Sequence, residues 1–108
     1  MELTDISKDL LRQTKNADEL AKLLPELAQQ VAETEKYYRL QLMREIMTLK
    51  EQKFPATLIG DISRGQTADL RYKRDLARET NKAYHKMASI YSSNQSALQS
   101  ILRHQAEV

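Results

Sequence analysis

Apolar side chains recur at helical spacing along almost the whole chain. From Pro25 to residue 52 they form one stripe, interrupted by a single charged residue, Glu35; its members are Leu27, Val31, Tyr38, Leu42, Ile46 and Leu49. Over residues 66–104 another stripe repeats every seven residues, at Leu70, Ala77, Tyr84, Tyr91 and Leu98. Both spacings are typical of amphipathic helices that bury one face. The pattern therefore predicts two long helical arms.

The N-terminal part of the chain predicts a separate short helix over residues 5–15. Its apolar residues are Ile6, Leu10 and Leu11. Asn16 followed by Glu19 has the spacing of a capping box, which indicates that a new helix begins there. We therefore expect the first arm to cover residues 17–52. Pro25 either kinks this arm or starts a helix of its own, because proline lacks the N–H that a helix interior requires; we expect a kink.

Residues 53–65 separate the two arms and hold both glycines of the chain. We expect the chain to reverse here, since glycine and proline are the residues that most often interrupt helices. The window is too apolar for a solvated loop, so it predicts one short helical turn that closes a hairpin. The residues concerned are Pro55, Leu58, Ile59, Gly60 and Gly65. The fold class is all-α: a long antiparallel, coiled-coil-like helical hairpin with a short N-terminal helix, in a single domain of 108 residues.

A further apolar stripe lies beside the first one in the later half of the second arm. Its members are Met87, Ile90, Ala97 and Ile101, and residues 87–102 include no charged side chain. One partner helix is too narrow to cover both stripes. The N-terminal helix, a break at residues 92–94 that gives a compact bundle, or a second subunit in a four-helix bundle would cover it. The length of the second arm, about 58 Å if straight, favours the homodimer.

Charge is distributed unevenly between the arms. Residues 1–52 carry 8 Lys and Arg against 10 Asp and Glu, whereas residues 53–108 carry 9 against 5. Oppositely charged arms favour pairing within a hairpin. A turn centred near residue 59 places Glu45 opposite Lys73 and Glu33 opposite His85.

Basic residues of the second arm, together with one at the end of the preceding window, form a candidate contact face for phosphates or for a partner protein. They are Arg64, Arg71, Arg74, Arg78, Lys82 and His85. Phosphate binding by such a face would depend steeply on salt. Neutralisation by carboxylates of both arms is the favoured explanation, since ion pairs along exposed helices are common. A helix-turn-helix is a weak match, because Pro55 lies where its first helix should run.

No residue pattern predicts a catalytic, cofactor or metal site. The chain has no Cys and only two His, and these are too far apart for a helical zinc pair. Neither a nucleophile elbow nor a phosphate loop is present. The start has no signal-peptide pattern, and no apolar run approaches the roughly 18 residues that span a bilayer. We expect a non-enzymatic cytoplasmic protein with no cofactor, no small-molecule substrate and no membrane contact.

Three segments have a distinctive sequence: Tyr37–Glu45, Phe54–Gly65 and Leu70–Asp75. They give a tyrosine-rich first helix, a Pro-x-Thr-Leu-Ile turn ending in Arg-Gly, and a second helix with Leu-Arg-x-x-Arg-Asp. In these features, over about residues 33–86, the chain resembles small helical proteins encoded by phages and prophages of Gram-positive bacteria. The resemblance implies a phage accessory protein acting in the host cytoplasm, and it carries no catalytic residue. We expect an interaction protein that binds a host or phage protein; the alternative is a nucleic-acid-binding accessory factor.

Overall fold

The described part of the chain folds into three α-helices. A computed structural model describes residues 2–107, in which α1 covers Leu3–Glu51, α2 covers Ala56–Gln66 and α3 covers Ala68–Ala106. Residues 2–107 contain no strand, so the all-α prediction is confirmed. None of the helices in this range combines the length and the apolar character that crossing a membrane requires.

The first helix, α1, runs without interruption for 49 residues. The prediction of a separate helix over residues 5–15 is therefore wrong, and so is a helix start near Asn16. Asn16 and Ala17 are half-buried, and packing along this side outweighs a local capping signal worth about 1 kcal/mol. Pro25 lies inside α1 and is exposed, so no new helix begins there; the kink expected at Pro25 stays a prediction.

The helices pack as two compact units. The terminal unit joins the part of α1 up to Glu26 to the part of α3 from Lys82 onward, and the turn unit comprises Leu27–Asn81. In the terminal unit, Ile6 and Leu20 are buried. Gln95 Nε2 donates a hydrogen bond of 2.8 Å to Thr14 Oγ1, which ties α3 to α1 within this unit.

The buried residues of the turn unit lie on α1, on α2 and at the junction between α2 and α3. Tyr38 and Leu49 of α1 and Ile59 of α2 are its buried apolar residues. Ser63 and Thr67 are buried as well, with exposures of 1% and 2%. Thr67 Oγ1 donates a hydrogen bond of 2.8 Å to the Ser63 carbonyl. Such local bonds allow a hydroxyl to be buried at little cost.

The chain reverses at a Schellman motif that ends α1. Lys53 adopts the left-handed conformation, with φ 61°. Its N–H donates to the Lys50 carbonyl at 3.0 Å, and the Phe54 N–H donates to the Leu49 carbonyl at 3.1 Å. Pro55 then sets an extended backbone, with φ −56° and ψ 136°, immediately before α2.

The helical segment predicted within the window 53–65 is confirmed, but it is longer than one turn, and the non-helical reversal extends only up to Pro55. Beyond it, α2 is a helix of 11 residues that contains both Gly60 and Gly65, and neither glycine has a positive φ. The prediction that the glycines make the reversal is therefore wrong. Glycine costs a helix interior about 1 kcal/mol relative to alanine, and burial of Ile59 offsets that cost, since a buried isoleucine contributes about 2 kcal/mol.

Pairing within the turn unit is centred near Pro55 rather than near residue 59. Arg78 Nη2 lies 2.9 Å from Glu35 Oε2, and Lys73 lines a shallow cavity together with Glu33. The register expected from the sequence, with Glu45 opposite Lys73 and Glu33 opposite His85, is wrong. The reason is that α2 is helical, so its residues lie after the reversal instead of forming it.

The third helix, α3, continues for 39 residues. It does not break at residues 92–94, so the alternative of a broken second arm is wrong. A row of half-buried residues follows it at alternating spacings of four and three: Leu70, Arg74, Ala77, Asn81, Tyr84, Ala88, Tyr91, Gln95, Leu98 and Leu102. This alternation is that of a coiled-coil seam. The stripe predicted from the sequence supplies every second residue of this row. The remaining residues are Ala88, Leu102 and the polar residues Arg74, Asn81 and Gln95.

Candidate interaction surfaces

The basic residues singled out from the sequence lie on α2 and α3, and carboxylates hold four of them. Two of these pairs are local and exposed: Arg64 Nη2 lies 2.6 Å from Asp61 Oδ1, and Arg71 Nε lies 3.9 Å from Asp75 Oδ2. Exposed pairs of this kind contribute about 0–1 kcal/mol. Arg74 and Arg78 reach across to α1. His85 is exposed on α3.

Glu35 is the carboxylate around which the pairs between α1 and α3 gather. Its Oε1 accepts a hydrogen bond of 2.8 Å from Arg39 Nε on the same helix. Its Oε2 accepts one of 2.9 Å from Arg78 Nη2 and lies 3.5 Å from Arg74 Nε, both on α3. The charged residue that interrupts the apolar stripe of α1 therefore links the two helices.

Arg74 is the most enclosed of these arginines. Its side chain is 12% exposed, and its guanidinium carbon lies 4.5 Å from the centre of the Tyr38 ring. Its Nη2 also donates a hydrogen bond of 2.9 Å to Asp75 Oδ1. A cation over an aromatic face is stabilised by the ring quadrupole. Arg74 is thus a structural residue of the half-buried row of α3. Its guanidinium group contacts groups of its own chain.

The pKa values of this cluster are shifted in the direction that favours the charged forms. The hydrogen bond from Arg39 is the largest cause that lowers the pKa of Glu35, and the charges of Arg78, Arg39 and Arg74 act in the same direction, against the effect of burial. The hydrogen bond to Asp75 is the largest cause that raises the pKa of Arg74, although burial opposes it. The partners of each group therefore stabilise its charged form.

The turn residues predicted as a contact surface divide into two groups. Ile59 is buried and Gly60 is half-buried, so both belong to the packing of α2. Pro55, Leu58 and Gly65 are exposed. Phe54, next to Pro55, is a further exposed apolar residue, so part of the turn does present apolar surface.

A surface of the turn unit that the sequence stripe did not predict lies on α1, turned away from its half-buried side. Its apolar members, Leu40, Met43 and Met47, are exposed at spacings of three and four. Three exposed basic residues flank them: Lys36, Arg44 and Lys50. Within residues 2–107, none of these three forms an ion pair. We call this set the α1 outer stripe.

The predicted dimer face lies on α3 within the terminal unit and is exposed. Met87 is 41% exposed, Ile90 50% and Ile101 40%, and Ala97 is exposed as well. The N-terminal part of α1 therefore does not cover it, and that alternative is wrong. Ala83 and Asn94, which did not stand out in the sequence, are exposed in the same row. We call the six residues from Ala83 to Ile101 the α3 outer stripe; they are Ala83, Met87, Ile90, Asn94, Ala97 and Ile101.

No group of three or more His, Cys, Asp or Glu side chains that could hold a metal ion comes together in the described part of the chain. No family model, curated protein or solved structure matches this chain.

Proposed function

We propose that this chain is a non-enzymatic α-helical interaction protein that forms a homodimer and binds a host or phage protein. The observation that carries the proposal is the exposed α3 outer stripe. Five of its six residues lie in a segment of 16 residues without a charged side chain, residues 87–102. A contiguous apolar surface of this kind typically marks a protein interface, since leaving it in water costs free energy.

The α1 outer stripe supports a second contact, with a partner protein. Methionine side chains adapt their shape to different apolar surfaces, and they are common where one surface meets a helix of another protein. The unpaired Lys36, Arg44 and Lys50 around the stripe favour an acidic partner. The resemblance to phage proteins supports a partner within the host cytoplasm.

The ion pairs of α3 weigh against the nucleic-acid alternative. A phosphate would have to displace Glu35 from Arg78 and Arg74, and the latter also lies over Tyr38. We therefore expect no binding to labelled single- or double-stranded DNA at 50 mM salt. Binding at 50 mM that falls steeply by 200 mM would instead support the nucleic-acid function.

The dimer is tested by placing a charge in the α3 outer stripe. Ile90→Glu puts a carboxylate at the middle of the face, and we expect it to leave the protein monomeric in size-exclusion chromatography with light scattering. Leu11→Glu is the matched control: Leu11 is 72% exposed, lies outside the stripe and is also on a helix of the terminal unit. Both variants dissociating alike, or neither, would contradict the assignment of the interface.

The partner contact is tested separately in the turn unit. Immobilised protein is exposed to lysate of a Gram-positive host, and the proteins it retains are compared with those retained by Met43→Glu and by Leu11→Glu. We expect a protein that is lost with Met43→Glu and kept with Leu11→Glu, because only the first substitution alters the α1 outer stripe. Retention of the same proteins by all three would contradict this contact.

A further inference from the structure

The α3 outer stripe has the spacing of a second coiled-coil seam. From Ala83 to Ile101 its six residues follow one another at spacings of four, three, four, three and four, and all six are exposed. A largely apolar row with this alternation is typical of packing against another helix. The half-buried row of α3 is a separate seam with the same period, so α3 carries two seams side by side.

We propose that the outer seam is covered by α3 of a second copy of this chain, running antiparallel to the first. The inference rests on the proposed homodimer and adds its orientation and register. A two-fold axis brings the same surface of both subunits together, so charges close to the axis would approach their own copies. Residues 87–102 carry no charge and pair with themselves without this repulsion.

The sizes of the side chains give the orientation. In an antiparallel pair with the two-fold axis near residue 92, Ala83 of one copy lies in the same layer as Ile101 of the other. By the same symmetry Met87 meets Ala97, and Ile90 meets Asn94. Every layer then combines a larger side chain with a smaller one, which keeps the distance between the helices even and fills the interface.

A parallel pair does not match the sizes in this way. There each residue faces its own copy, so Ala83 and Ala97 would each form a layer of two small side chains. Met87, Ile90 and Ile101 would each form a layer of two large ones. Helices spaced for the large layers would leave gaps at the alanines, and such gaps cost free energy.

Asn94 is the polar member of the seam, and its own chain supplies polar neighbours. It lines a shallow cavity in the terminal unit together with Arg12 and Gln13. Gln13 Oε1 is buried and has no hydrogen-bond partner among the described residues. The amide of Asn94 therefore lies at a polar edge of the interface, next to the apolar layer that contains Ile90.

Cysteine cross-linking tests the orientation directly, because the chain has no cysteine of its own. Ala83→Cys and Ile101→Cys are prepared as two separate proteins, mixed, allowed to exchange subunits and oxidised mildly. In the antiparallel dimer the mixed pair places the two cysteines in one layer, within reach of a disulfide. In each unmixed protein the two cysteines lie about 27 Å apart along the helix, since 18 residues rise 1.5 Å each.

We expect the mixture to give a disulfide-linked dimer as the major species on a non-reducing gel, and each protein alone to remain unlinked. Ser89→Cys mixed with Ile101→Cys is the control, because Ser89 lies outside the seam, and it should remain unlinked. Circular dichroism of each variant checks that the helices are retained. Cross-linking of Ala83→Cys with itself would overturn the antiparallel orientation.

Sedimentation of the unmodified protein tests the proposed self-association independently of the antiparallel orientation. A dimer whose cysteine mixture stays unlinked overturns the orientation and register, while the proposed self-association stands. A monomer at tens of micromolar overturns both.

Discussion

Glu35 joins α1 to α3 through arginines of both helices. Because the hydrogen bond from Arg39 and the nearby charges favour the carboxylate, the pKa of Glu35 is lowered from its ordinary value of 4.5. A group whose pKa is lower in the folded state stabilises the protein above its unfolded pKa. This contribution disappears as the pH falls through the lowered value.

Glu35→Gln is therefore expected to lower the free energy of unfolding at pH 7, and the difference from the unmodified protein should shrink as the pH falls below 4.5. Urea unfolding at a fixed protein concentration, repeated between pH 3 and pH 7, measures both effects. Glu33→Gln is the matched control, since Glu33 is exposed and bonds to Gln29 of its own helix. An equal loss for both variants, or a loss for Glu35→Gln that is constant with pH, would contradict the role of Glu35.

Lys53 takes the left-handed position at which helices usually place glycine. Relieving this conformation with Lys53→Gly should stabilise the protein by about 1 kcal/mol.

Gly65→Ala should stabilise the protein by about 0.5–1 kcal/mol, because Gly65 is helical and a methyl group there would meet no atom within 4 Å. Urea unfolding of each variant measures the change. A turn built on Gly65 would give the opposite sign for Gly65→Ala.

The glycines show why the reversal could not be located from the sequence. Gly60 and Gly65 suggest turns because no other residues tolerate positive φ as readily. Whether a glycine uses that freedom depends on packing, and here burial of Ile59 and Ser63 holds the segment in a helix. Lys53 carries no local signal for a left-handed conformation; only Pro55, two residues later, marks the end of α1.

The effect of replacing Pro25 distinguishes one continuous helix α1 from two helices that meet at Pro25. Inside a helix, proline removes one backbone hydrogen bond and crowds the preceding turn, at a cost of about 3 kcal/mol. Pro25→Ala should therefore raise the free energy of unfolding, by about 1–3 kcal/mol. If Pro25 instead began a separate helix, where its missing N–H costs nothing, the substitution would be neutral or destabilising. Denaturant unfolding at matched concentration measures the sign.

The two seams of α3 show how much of an interface a pattern can predict. Periodicity alone placed Leu70, Ala77, Tyr84, Tyr91 and Leu98 on the half-buried row, because large apolar residues recur every seven positions. Arg74, Asn81 and Gln95 were missed, since nothing in the periodicity marks a polar residue as a member of a seam. Gln95 bonds to Thr14, whereas Asn81 Oδ1 is buried without a hydrogen-bond partner among the described residues. Arg74 has Glu35, Asp75 and Tyr38. For the outer seam the pattern predicted four of the six residues, and the structure added Ala83 and Asn94.

The function proposed for the whole molecule depends on surfaces that remain exposed in one chain. Within the terminal unit the α3 outer stripe has no charged member and a single polar one, Asn94, whereas within the turn unit the α1 outer stripe is apolar with a basic rim. The different charge of the two surfaces favours different partners, a second copy for the first and an acidic protein for the second. The arginines from which the sequence predicted a phosphate-binding face form ion pairs with carboxylates of the same chain.

Sedimentation equilibrium of the unmodified protein tests the central claim, that this is an interaction protein which first associates with itself. One chain has a mass of 12.5 kDa. At tens of micromolar we predict a single species of about twice that mass, which dissociates on dilution as a reversible dimer does. A mass of one chain at every concentration would contradict the account.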